Sequence, residues 1–400
     1  MKPKISFKGF KEPWEVSSLR NFFSKVNEKN ARMLYSAVLT NSAEYGIIDQ
    51  RDYFDFDVAN SNNISGYYIV QPDDFVYNPR VSVTAPVGPI NKNELGYTGV
   101  MSPLYLVFKI NRINKDYLCH YFKSNKWHKF MRISGNCGAR FDRLSISDEQ
   151  FVQMPIPYPI NSKEQQTICN YLEKIDKLIS TASSRLASLK QVKEASLQAM
   201  FPQKGETVPK IRFKGFEGEW VITKAAEIFK TVNERNFSGL PVLSATQDKG
   251  MVTRESIGYN IFHDKANEST YKHIRPGQFV MHLRSFQGGF AHSAIEGICS
   301  PAYTIMEFKD KEVNHDLYWK YVLASKHFIK SLEMITYGIR DGRTISFDEF
   351  KEMVFLVPKV EEQQQIASYF TSLDKQIALQ TQRLEKLKQI KAACLDKMFV

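Results

Sequence analysis

Residues 3 to 14 read Pro3-Lys4-Ile5-Ser6-Phe7-Lys8-Gly9-Phe10-Lys11-Glu12-Pro13-Trp14, and residues 209 to 220 read Pro209-Lys210-Ile211-Arg212-Phe213-Lys214-Gly215-Phe216-Glu217-Gly218-Glu219-Trp220. The correspondence runs on, because Phe23, Val26-Asn27-Glu28 and Asn30 return 206 positions later as Phe229, Val232-Asn233-Glu234 and Asn236. Pro72, Phe75 and Val76 answer Pro276, Phe279 and Val280, and Gly99, Ser102-Pro103 and Tyr105 answer Gly297, Ser300-Pro301 and Tyr303. Asn114, Asp116 and Tyr121 align with Asn314, Asp316 and Tyr321. The offset settles at 198, where Glu164-Gln165-Gln166, Ile168, Tyr171 and Asp176 match Glu362-Gln363-Gln364, Ile366, Tyr369 and Asp374. Between these anchors the halves differ almost freely. The 400 residues are therefore one unit used twice, and self-similarity of this kind decides the fold before any local propensity does.

Each unit has a globular part, expected over 1–155 and 206–355, and a helical part, expected over 156–205 and 356–400. The globular part carries short aromatic and β-branched runs, such as Tyr67-Tyr68-Ile69-Val70 and Leu104 to Ile110, bounded by Pro72-Asp73-Asp74 and Ser102-Pro103. Such runs predict strands of a mixed sheet. Helical spacing follows over Tyr117 to Met131 and Leu317 to Met334, so the fold class is α+β: two mixed α/β heads and two long helices.

After Pro159, Ser162-x-x-Gln165 reads as a capping box, and apolar residues then step by four and three through Ile168, Leu172, Ile175, Ile179, Ala182, Leu186 and Leu189. The second copy runs through Ile366, Phe370, Leu373, Ile377, Gln380, Leu384 and Leu387. Lysines, Lys193 and Lys391, occupy the next seam position. Helical drift against a 3.5-residue repeat lets the apolar face pass to Val192 and Ile390 instead. A stripe of this kind usually faces the core of its own domain. Repeated without interruption in both copies, it predicts a pair of helices that pack on each other as a coiled coil. A pseudo-two-fold contact between two copies of one unit makes them antiparallel, returns Val400 to the first head and gives two heads held apart by a rod.

Lys and Arg number 54 against 43 Asp and Glu, a formal charge of +11, which favours a polyanionic partner. No stretch is apolar enough for a membrane span and the N-terminus lacks a signal-peptide core, so a cytoplasmic location is expected. Five scattered cysteines without a C-x-x-C pair disfavour a disulfide framework or a structural zinc site.

Two related heads at a fixed separation suit two short DNA half-sites, since groove faces recur about every 34 to 36 Å along a duplex. Charge is concentrated from Lys109 to Arg143, where Lys109, Arg112, Lys115, Lys123, Lys126, Lys129, Arg132, Arg140 and Arg143 face only Asp116 and Asp142. Tyr121, Phe122, Trp127, His128 and Phe130 interleave them, either as base-stacking platforms or as the buried face of an amphipathic helix. Lys123, Lys126 and Lys129 are candidate phosphate contacts. Arg140 and Arg143 follow Gly135 and Gly138, and Arg340 and Arg343 follow Gly338. The rigid arginine fork suits phosphate or guanine, and an internal Arg-Asp brace is the alternative. Lys272, His273, Arg275, His282, Arg284 and Gln287, near Gly288-Gly289, form a further set in the second head.

Enzymatic motifs do not assemble. Pro72-Asp73-Asp74 could open a nuclease carboxylate cluster, but the second copy reads Pro276-Gly277-Gln278. Ser102-Pro103-Leu104-Tyr105 and Ser300-Pro301-Ala302-Tyr303 lack the second proline of the amino-methyltransferase signature, and no Gly-rich cofactor loop or Walker-type loop occurs.

The repeated Pro-Lys-Ile-x-Phe-x-Gly-Phe-x-x-x-Trp opening, the Glu-Gln-Gln-x-Ile helix starts and the tandem layout resemble the specificity subunits of type I restriction-modification enzymes over essentially the whole chain. The resemblance implies two target-recognition domains, each reading half of an asymmetric bipartite DNA site, with the helical regions as a spacing ruler. It implies a non-catalytic chain without its own cofactor, partnered by two modification subunits that bind S-adenosylmethionine and methylate adenine, and by restriction subunits that use ATP and Mg. The family pattern fixes no universal base-reading residues. A stand-alone DNA-binding or scaffold protein is the competing expectation.

Overall fold

The computed structural model describes residues 1–53, 61–137, 142–246, 249–257, 265–282, 289–332 and 346–400. It divides into two compact units, Met1–Ser184 with Gln382–Val400, and Arg185–Thr381.

In the first unit a four-stranded antiparallel sheet has the order Phe23–Lys25, Leu106–Ile110, Phe75–Tyr77, Ile90–Lys92. The second unit repeats that order with Phe229–Val232, Thr304–Phe308, Phe279–Met281 and Phe290–His292. Two-stranded pairs recur as well: Glu15–Ser18 with Pro155–Tyr158 is answered by Val221–Lys224 with Val354–Val357. The expected mixed sheet is corrected. All named strands pair antiparallel, and parallel contacts among the described residues are single bridges such as Val38 to Val100 and Val242 to Ile298.

The expected helical stretch of each head is broken into two. Lys115–Phe122 and His128–Ser134 are separated by a turn in which the Ser124 hydroxyl donates to Tyr121 O, and Asp316–Leu323 and Lys326–Leu332 by a turn at Ser325. The helices also shift the repeat register by one residue. Asn114 and His315 are the N-cap positions, and their backbone N–H groups donate to the matched side chains of Gln165 and Gln363. Tyr117 therefore corresponds to Tyr318, and His120 to Tyr321, an offset of 201 where sequence matching gave 200. The slip is absorbed by side-chain length: Lys92 reaches Asp116 at 2.5 Å, while the shorter His292 reaches Asp316, one position nearer the helix start, at 2.7 Å.

The long helices span Ser162–Ala199 and Val360–Lys397, each of 38 residues and so about 57 Å. Within the first unit Ile168, Leu172 and Ile175 lie in one cluster with Trp14, Tyr117, Phe151, Cys394, Met398 and Phe399. Within the second, Ile366, Phe370 and Leu373 join Trp220, Tyr318, Phe350 and Met200, with Leu189, Leu197 and Phe201 packed alongside. The opening turns of one helix thus meet the closing turns of the other in an antiparallel sense, and the first seam residues are at the same time core residues of a head. Leu384 is buried, Ile179 packs against the first cluster, and Leu186, Ile377 and Leu387 are half-buried.

Two details of the helix reading are overturned. The apolar face does not pass to Val192 and Ile390, which are 46% and 38% exposed. The seam lysines stay in place because the antiparallel partner supplies a carboxylate: Lys193 pairs with Asp374 at 2.5 Å, and Lys391 pairs with Asp176. The capping box at Ser162 is also absent. Asn161 precedes the helix and accepts from Lys163 N–H, while Gln165 is turned into the head. Capping boxes occur instead at Ser147 with Gln150 and at Ser346 with Glu349, in matched places in the two heads.

Candidate nucleic-acid interface

The repeated polar signature holds each head on its helix. Gln165, 5% exposed, accepts from Asn114 N–H at 3.0 Å and donates to Pro159 O at 2.8 Å. Gln363, fully buried, accepts from His315 N–H and donates to Val313 O and Pro358 O. The opening motif turns at Gly9 and Gly215, both at φ near 100°, a backbone region open to glycine. Ile5 N–H then donates to Lys397 O, and Ile211 N–H to Ala199 O, so each motif ties down the end of a long helix. The residues that repeat most closely are consequently structural.

In the first head the aromatics of the basic run are core: Tyr121, Phe122 and Trp127 are buried. The charges separate into groups. Lys126, Lys129 and Arg132 line a shallow groove of about 540 Å³ with Asn125, His128 and Ile133. Lys126 is held by Asp396 at 3.2 Å, whereas Lys129, Arg132 and Lys123 are exposed without an ion-pair partner among the described residues. Lys109 lies on the sheet and donates to Gln71 Oε1, and Arg112 occupies a turn at φ 65°. Lys115 pairs with Asp73.

Arg143 has an unforeseen neighbour. It forms an isolated antiparallel bridge with Arg80, flanked by Val81 N–H donating to Asp142 O and Leu144 N–H donating to Pro79 O, both at 2.9 Å. Sixty-three residues separate the two in sequence, and no local pattern marks Arg80. Arg140, Arg284, Gln287, Arg340 and Arg343 lie outside the described residues.

The second head differs in how its described candidates are used. Lys272 donates to Tyr303 O at 2.6 Å, and burial lowers its pKa. Arg275 forks onto Glu234 at 2.7 and 3.1 Å, and His273, 2% exposed, has a ring nitrogen 3.2 Å from Glu234 and the other 2.8 Å from Glu296. These are internal braces.

The carboxylates considered for nuclease chemistry have structural partners. Asp73 sits at φ 67° where the second copy has Gly277 at φ 84°. The buried Asp74 accepts from Gln71 N–H as Gln278 accepts from Arg275 N–H, and burial raises its pKa. The Ser-Pro-x-Tyr segments are matched turns, with Tyr105 N–H donating to Ser102 O and Tyr303 N–H to Ser300 O. Among the described residues no three His, Cys, Asp or Glu side chains gather in a metal-ligating arrangement, and no helix is long and apolar enough to cross a membrane.

Comparison with known proteins places the repeat in context. The model of the type I restriction modification DNA specificity domain matches residues 11–191 and again residues 217–389. The crystal structure of a type I restriction-modification system S subunit from M. genitalium superposes with a TM-score of 0.59 at 12% identity, covering 100% of this chain and 99% of that one. A chain from a structural study of complex assembly and conformational transition in a type I R-M system gives 0.52 at 14% identity, covering 97% and 98%. At these identities the two structures speak to fold.

Proposed function

The chain belongs to the type I restriction-modification DNA specificity family, and from that premise we propose how it works: each head contacts one half of a bipartite duplex site, and the assembly's chemistry is done elsewhere. The observation that carries this is the division of labour within the repeat. Residues shared by the two units, such as Gln165 and Gln363, lock head to helix, while exposed basic residues of the first head such as Lys109 and Lys123 stand where the second has Glu307 and Ala324. A scaffold used twice with different surfaces is what an asymmetric target requires. On this reading Lys123, Lys129, Arg112 and Arg143 grip the backbone in the first head, with Lys109 and Lys126 released from side-chain partners to join them. In the second head Lys272 and Arg275 brace the fold, and Arg284, Gln287, Arg340 and Arg343 remain the contact candidates.

The partners are modification subunits carrying S-adenosylmethionine, which extrude an adenine because its amino group is paired inside the stack. Restriction subunits with ATP and Mg complete the assembly, and this chain binds no cofactor of its own. The test is reconstitution. The purified chain alone should bind no S-adenosylmethionine, and adding the modification subunits encoded with it should give adenine methylation at one split DNA sequence. S-adenosylmethionine binding by the isolated chain, or sequence-specific methylation without it, would contradict the proposal.

A further inference from the structure

Two arginines from distant parts of the first head stand directly opposite each other at the Arg80–Arg143 bridge. Residues opposed across an antiparallel pair have Cβ atoms about 4.5–5.5 Å apart on one face, where like charges repel. Neither arginine has an ion-pair partner among the described residues. Arg80 is exposed and Arg143 half-buried, which leaves the pair reachable from solvent.

The backbone under the pair is firmly set. Asn41 donates to Val76 O at 2.7 Å and accepts from Asn91 Nδ2 at 2.7 Å, and its carbonyl accepts from Asn78 Nδ2 at 2.9 Å. The Asn78 side chain in turn accepts from Arg80 N–H at 3.0 Å. Gly88, at φ 80°, lies so close that an added Cβ would stand 2.0 Å from Asn78 O. A like-charged pair held on a rigid support and lacking an internal counter-ion is suited to an external anion. An anion bridging two guanidinium forks accepts charge-assisted hydrogen bonds from both.

We propose that Arg80 and Arg143 together clamp one backbone phosphate of the duplex bound by the first head. The assignment rests on the DNA-specificity reading and adds Arg80, which charge counting along the sequence does not find. Both arginines share one phosphate, so their effects on salt dependence are not additive.

The experiment measures duplex binding by the full chain with its modification subunits, as a function of salt, on a short mixed-sequence duplex. Variants are Arg80→Ala, Arg143→Ala, the double variant and Arg80→Lys. One lost phosphate contact reduces the slope of log affinity against log salt by about 0.9. The double variant should show that single reduction, not twice it, with several-fold weaker binding at low salt. Arg80→Lys should keep most of the slope. Melting temperatures should not fall, since removal of either charge relieves repulsion. An unchanged slope would overturn the clamp: with a lowered melting temperature it would make the pair a structural brace, and with a changed base preference a base reader. Failure of the unsubstituted complex to bind duplex DNA would overturn the underlying DNA-specificity reading.

Discussion

The two units bury a carboxylate at the same place in the repeat and partner it differently. In the first, Glu164 accepts from the Trp14 indole N–H at 3.1 Å, and burial raises its pKa. In the second, Glu362, 1% exposed, takes the fork of Arg212 at 2.7 and 2.8 Å, and the indole N–H of Trp220 has no hydrogen-bond partner among the described residues. The sequence difference is one residue, since Ser6 stands where the second copy has Arg212. A single indole N–H donor and a buried ion pair thus do the same job of seating the opening motif on the helix. The frame constrains position, and chemistry is free to vary wherever a partner can be supplied locally. The contact between head helix and long helix follows the same rule: Tyr321 donates to Asp374 at 2.8 Å, whereas its counterpart His120 lies buried near Asp176 with Nδ1 unpartnered among the described residues.

The largest effects should come from what the units share. Gln363→Ala removes three hydrogen bonds to backbone groups, the one to Pro358 O fully buried, and should cost about 4 kcal/mol in denaturant unfolding. Gln165→Ala, with two groups exposed to the same loss, should cost somewhat less. Values below about 1 kcal/mol would show that the repeated glutamine is not the lock. Next comes the divergent carboxylate. Arg212→Ala strands a buried charge and should cost about 4 kcal/mol, most of it recovered by adding Glu362→Gln, whereas Trp14→Phe should cost about 1 kcal/mol. Equal costs for the two would erase the distinction between ion pair and hydrogen bond.

His120 gives the comparison a pH axis. Burial is the main cause that lowers its pKa to about 4, helped by Lys123 and Lys391 and opposed by Asp176 and Asp116. The unfolded chain binds this proton from about pH 6.5 downward and the folded chain does not. The stability is therefore fully present above pH 6.5 and is lost as pH falls toward 4, by up to about 3 kcal/mol. His120→Tyr, which copies the second unit, should flatten unfolding free energy over that window. An unaltered acid limb would show that His120 does not carry it. The smallest effect is expected at the half-exposed seam pairs. A double-mutant cycle on Lys193 and Asp374 should give a coupling of about 0.5 kcal/mol, and the Lys391–Asp176 cycle should match it. A coupling several times larger in one pair alone would break the pseudo-symmetry.

The duplication, the α+β class and the long helices were legible because repeat matching and helical period survive without tertiary knowledge. What stayed hidden depends on distant partners. Lys193 and Lys391 look like seam defects until Asp374 and Asp176 arrive from the antiparallel helix. Gln165 looks like a cap because the capping box is a local pattern, and its use by Asn114 N–H is not. The register of the head helices departs from the sequence match by one residue because Asn114 and Asn314 match as letters, while the N-cap is His315. For the interface, the concentration of charge was readable. The internal partners of Lys272 and Arg275, and the meeting of Arg80 with Arg143, follow only from strand pairing.

The most direct test of the account exchanges residues 206–355 for the second head of a relative with a different target, then maps adenine methylation across the genome of a host expressing the complex. The account predicts that one half-site changes and the other is retained. Alteration of both half-sites, or of neither, would contradict the assignment of one half-site to each head.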